Sequence, residues 1–135
     1  NVYWEKFRFC WTRTMPDEQE PVLNKQAALE LCDEDEELFL EIVQAYLEDS
    51  IEHARQLLYA LEAGDAHEVE ERAHALKGAS ANICAGPVCG AAQLLERAGR
   101  DKDLNEAPQL YRVFKKEFQR LLEYLESLPL PPEDG

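Results

Sequence analysis

At 135 residues with 45% hydrophobic content, the chain is long enough for one folded core and too short for two, and wholesale disorder is excluded. Its net charge of −14, from 28 acidic and 14 basic residues, argues against nucleic-acid binding, which rests on Lys and Arg meeting phosphates. No run approaches the roughly 18 apolar residues of a membrane span, and the first residues lack the basic, apolar and small-residue order of a secretory signal, so a cytoplasmic protein without membrane contact is expected.

β-Branched residues are few (six Val, three Ile, two Thr) against many Leu, Ala and Glu, which favours helix over sheet. Residues 1–14, NVYWEKFRFCWTRT, interleave aromatic and basic residues and carry a net +2, leaving −16 for the rest. Met15 reads as a natural start, which would make residues 1–14 an addition to the natural chain. The alternative is that their aromatics anchor the segment on the domain or on a second copy, giving self-association. Residues 1–22 are therefore read as an extension and linker, residues 23–128 as the domain, and 129–135 as a proline-rich tail.

Asn24 is placed to cap a short helix through Leu31, with Leu23 packing before it. Asp33 or Asp35 then opens a second helix of about 27 residues, whose stripe Phe39, Val43, Tyr46, Ser50, Ala54, Leu57, Leu61 keeps spacings of three and four. Gly64 is placed as its C-terminal cap. Asp65 is the natural cap of a third helix reaching to about Cys84, with its buried stripe at Val69, Ala73, Leu76, Ser80 and Ile83. Gly86 and Pro87 end it and start a fourth, since proline fits only the first turn of a helix. That helix buries Val88, Ala91, Ala92, Leu95 and Ala98 and closes at Gly99. A charged loop, residues 101–106, leads to a last helix with Ala107, Tyr111, Phe114, Phe118, Leu121, Leu125 and Leu128 in register. Long amphipathic helices on short connections predict an all-α fold: an antiparallel up-down-up-down four-helix bundle with a short N-terminal helix across one end.

The third helix carries the chemistry. At about 100° per residue, His74 lies roughly 140° from the centre of the buried stripe, so its imidazole is expected in solvent. Glu70 and Glu71 stand one turn before it, and Lys77 and Gly78 one turn after. A glycine inside a helix costs about 1 kcal/mol relative to alanine, and clearance over the ring would justify it. Ala81 is also small, so another protein could approach closely. Lys77 supplies a cation for an anion placed on the ring. An exposed imidazole is nucleophilic when neutral, and these features together describe a residue that accepts and donates a phosphoryl group.

AHALKG at Ala73 to Gly78, continued by ASANI at Ala79 to Ile83, resembles the signature of histidine-containing phosphotransfer (HPt) domains of two-component phosphorelays. The likeness extends through LEAGD at Leu61 to Asp65 and LLERAGR at Leu94 to Arg100, covering about residues 23–128. The resemblance implies that His74 is phosphorylated, that Lys77 assists the phosphoryl group and that Gly78 keeps the approach open. It also implies that the partners are receiver domains of a hybrid histidine kinase or a response regulator, with Mg2+ on the receiver and no cofactor on this chain. Docking is expected to bury an apolar centre formed by Ala81 and flanking residues of the second helix, inside a polar rim of Lys77, Glu70 and Glu71. One departure is Cys84, where the family usually has glycine.

No nucleotide-cradling glycine loop is present, and no Ser or Cys is visibly paired with a base, so no enzymatic activity of its own is expected. His53 and His67 read as ordinary solvent-facing residues. Cys10, Cys32, Cys84 and Cys89 have no metal-site spacing and read as reduced thiols filling core gaps. The rival readings are a helical-bundle interaction module that takes no phosphate, and a self-associating structural bundle; a monomeric relay is preferred.

Overall fold

The computed structural model describes residues 21–130, in five helices and no strand. They are α1 (Lys25–Leu31), α2 (Glu36–Ala63), α3 (Ala66–Asn82), α4 (Gly86–Arg100) and α5 (Ala107–Glu126). The expectations for residues 1–14 and for Cys10 lie outside the described residues. Helix α2 packs on α3, α3 most extensively on α4, α4 on α5, and α5 back on α2, closing the four-helix bundle, while α1 rests on α2.

The caps explain the boundaries. The Asn24 side chain accepts from Ala27 N at 3.0 Å and opens α1. Of the two aspartates offered for α2, Asp35 is the cap, accepting from Leu38 N at 3.1 Å. Asp33 instead lies in the left-handed region with Glu34, in the turn between α1 and α2. Gly64 closes α2 at φ 69°, and Asp65 immediately caps α3 through Glu68 N at 3.1 Å. Two long helices are thus reversed within two residues.

The apolar stripes face one core. Phe39, Val43, Leu57, Val69, Leu76, Ile83, Leu95, Phe114, Leu121 and Leu125 are fully enclosed, and burial of each such side chain contributes about 1.5–3 kcal/mol. Three register details differ from the expected pattern. Ala60, with Leu61 half-buried beside it, takes the last buried place on α2, and Gly99 rather than Ala98 is buried on α4. Leu128 lies just past the end of α5, half-buried against the core. Within the core, Tyr46 and Ser80 hydroxyls meet at 2.8 Å, fixing the register of α3 against α2. Burial holds the Tyr46 phenol far above its ordinary range, so it stays protonated and neutral.

Helix α3 ends at Asn82, two residues short of the expected Cys84. Cys84 sits at φ 57°, a left-handed turn in which Ala85 N returns to Ser80 O at 2.9 Å and Cys84 N to Ala81 O at 3.0 Å. The position therefore calls for the conformation glycine adopts without strain. Cys84 O also accepts from Asn24 N at 3.0 Å, which pins the start of α1 to this turn.

Candidate functional site

His74 sits in the middle of α3 with its side chain 66% exposed, as the stripe geometry requires. The ring is tethered at one edge: Nδ1 lies 2.8 Å from Oε2 of Glu96 on α4. The other Glu96 oxygen, Oε1, is 2.6 Å from Lys77 Nζ. Arg100, one turn beyond Glu96, donates from Nη2 to the same Oε2 at 3.0 Å and from Nε to Glu70 Oε2 at 3.4 Å. One buried carboxylate thus gathers the imidazole, the lysine and the arginine.

Glu96 is 4% exposed, and a carboxylate there survives only because it is paired. Burial pushes its pKa up, but the hydrogen bonds from Lys77 and His74, with their charges, outweigh that and leave it below the ordinary carboxylate range. An ionised carboxylate only accepts, so His74 Nδ1 must carry the hydrogen between them. In the neutral ring the lone pair is then on Nε2, the nitrogen not engaged by Glu96. The tether fixes both the orientation and the tautomer of an exposed nucleophile.

A side-chain atom added at Gly78 would meet nothing within 4 Å, so the space one turn above His74 is open, as expected. Glu71 is exposed and 3.7 Å from His67, and Glu70 is half-buried with Arg100 at 3.4 Å; these contacts are not to His74. Two expectations are corrected. Lys77 does not stand in solvent beside His74; its side chain is 3% exposed and turned inward onto Glu96, because α4 brings a carboxylate under that turn of α3. Ala81 does not open the approach either; it is 4% exposed and forms a small apolar contact with Cys89 where α4 covers α3. The exposed large apolar residues of α2 are Leu38, Ile51 and Tyr59, which its length and turn spread over different faces, so they form no single centre beside His74.

Elsewhere, His67 is exposed as expected, but His53 is half-buried and its Nδ1 meets Arg72 Nη1 at 3.3 Å, an acceptor role for that nitrogen. No cluster of His, Cys, Asp or Glu among the described residues could hold a metal ion. Cys32 and Cys89 are buried thiols and Cys84 is half-buried, all three unbridged. No helix among the described residues is long and apolar enough to cross a membrane.

Sequence reasoning missed Glu96 and Arg100. The signal was present: Glu96 follows buried Ala92 by one turn and precedes Gly99 by three residues, an acid set inside an apolar stripe. Gly99 completes the arrangement from below. A side-chain atom there would fall 2.6 Å from Glu70 N and 2.7 Å from Ala66 O, so only glycine lets α4 come close enough to α3 for this ion cluster to form.

Comparison with known proteins agrees with this geometry. A family model described as the Hpt domain matches residues 41–127. The chain is similar in structure to histidine-containing phosphotransfer protein B (HptB) from Pseudomonas aeruginosa PAO1, with 30% identity, 80% of this chain and 94% of that one covered, and a TM-score of 0.73. It also shares its fold with the HPT domain of the Hpt sensor hybrid histidine kinase from Shewanella, at 24% identity, 80% and 97% coverage and a TM-score of 0.62. No curated protein matches the sequence. With its bundle, its exposed helical histidine and a family match over most of its length, this chain belongs to the Hpt domain family, the histidine phosphotransfer domains of two-component phosphorelays.

Proposed function

We propose that the chain is a phosphorelay intermediate in which His74 Nε2 takes a phosphoryl group from an aspartyl phosphate on a receiver domain and passes it to the aspartate of another. In the forward step the Nε2 lone pair attacks phosphorus in line with the leaving carboxylate. The N–P bond forms, the P–O bond breaks, and the electron pair leaves with the aspartate. No proton has to move. The ring keeps its Nδ1 hydrogen and becomes cationic, and the Glu96 carboxylate 2.8 Å away is placed to stabilise that charge. Onward transfer reverses the step.

The observation that carries this reading is an exposed imidazole clamped at Nδ1 by a buried, ionised glutamate that does not engage Nε2. Lys77 then acts by neutralising and holding Glu96, a positioning role. Gly78 leaves room for the receiver, and Glu70 and Glu71 with exposed α2 side chains form the surrounding docking surface. Mg2+ belongs to the receiver in this scheme, and the chain acts as a cytoplasmic monomer that carries phosphate without catalysing a nucleotide-dependent reaction. The test is incubation with phosphorylated receiver domains, scoring acid-labile, alkali-stable phosphate on this chain. Wild type should take the label and His74→Gln should not; label retained by the Gln variant refutes the assignment.

A further inference from the structure

Resting on that reading, we propose that Arg100, and not Lys77, is the cation that meets the phosphoryl group on His74. Lys77 is committed elsewhere. Its Nζ is enclosed at 2.6 Å from Glu96 Oε1, and withdrawing it would leave a buried carboxylate short of its main counter-charge. Arg100 is differently placed. Its side chain is 56% exposed, and its bond to Glu70 is long and at the surface, where such pairs are weak.

The guanidinium also lies close to the ring, on its Nδ1 side. Arg100 Nη2 and His74 Nδ1 bind one oxygen, at 3.0 and 2.8 Å, so the two nitrogens are at most 5.8 Å apart, the sum of those bonds. A guanidinium has five N–H donors in a planar fork. Two of its nitrogens serve Glu96 and Glu70, and rotation of the exposed side chain can turn the fork toward an anion growing on Nε2. Glu96 keeps Lys77 and His74 when Arg100 leaves. In the unphosphorylated protein Arg100 is parked on Glu96 and Glu70; after transfer it moves to the phosphoryl oxygens, which bind a bidentate fork better than a single carboxylate oxygen does.

The experiment uses phosphoramidate as a small phosphoryl donor, so that no partner domain enters. Phosphohistidine is followed by phosphorus NMR during pH titration of wild type, Arg100→Gln and Arg100→Lys. A nearby guanidinium lowers the proton affinity of the phosphoryl group. Arg100→Gln should therefore bind that proton about two- to fivefold more tightly than wild type, the range of a partly exposed ion pair, and Arg100→Lys should restore part of the difference. A guanidinium that stayed parked on Glu96 would act through its charge alone, which Arg100→Lys supplies in full, so direct contact by the fork is read from Arg100→Lys falling short of wild type. Identical curves for wild type and Arg100→Gln overturn the assignment to Arg100. No phosphohistidine on wild type, with His74→Gln as blank, overturns the relay reading and this inference with it.

Discussion

Replacing Glu96 by alanine removes the acceptor shared by His74, Lys77 and Arg100. The Lys77 ammonium then loses its carboxylate counter-charge at 3% exposure. Breaking a buried ion pair by deleting one partner costs about 3–5 kcal/mol. Against a total stability of about 5–15 kcal/mol for a domain, that loss should lower the melting temperature by roughly 10–20 °C. Deleting both partners, as Glu96→Leu with Lys77→Met, leaves no unpaired charge and should recover most of it, with a coupling of about 2 kcal/mol in the double-mutant cycle. The pH dependence has a fixed sign. Glu96 has a lower pKa folded than unfolded, so its contribution is fully present above the ordinary carboxylate range and is lost as pH falls through the depressed folded value. The gap between wild type and Glu96→Ala, measured by urea unfolding, should be constant near neutrality and close only in acid. A variant within 1 kcal/mol of wild type at neutral pH, or a gap that widens on acidification, would refute the account of Glu96 as the ionised hub.

Other substitutions probe the backbone around the site. Cys84→Gly should stabilise the fold by roughly 1 kcal/mol, since the residue is held at φ 57° where a side chain is strained; an unchanged urea midpoint would show that the strain is compensated locally. Gly78→Ala and Gly99→Ala should have opposite effects. The first meets open space and should raise stability by about 0.5–1 kcal/mol while slowing phosphoryl uptake from a receiver. The second drives a methyl group into the α3 backbone and should cost about 1–3 kcal/mol, read by thermal melting; equal effects from the two would contradict the close approach of α4.

Local periodicity and end chemistry determined much of this protein by themselves. Stripes at three- and four-residue spacing named the large core residues, though not buried Ala27, Ala28, Ala60, Ala81 and Ala85; Asn24, Asp65, Gly64 and Pro87 set helix ends; and the angle of His74 from its stripe placed the imidazole in solvent. These properties depend on a residue's neighbours within one or two turns, so a linear text contains them. The environments of Lys77, Ala81, Glu96 and Arg100 do not. All four lie near the seam between α3 and α4, where a residue's partner is set by how closely and in what register a second helix packs. On the wheel His74 lies roughly 140° from the stripe centre and Lys77 roughly 80°, at its flank; the wheel leaves Lys77 at the border, and Glu96 draws it inward. The choice was made by the approach of α4, which Gly99 permits, and a buried carboxylate takes whichever cations that approach brings within reach.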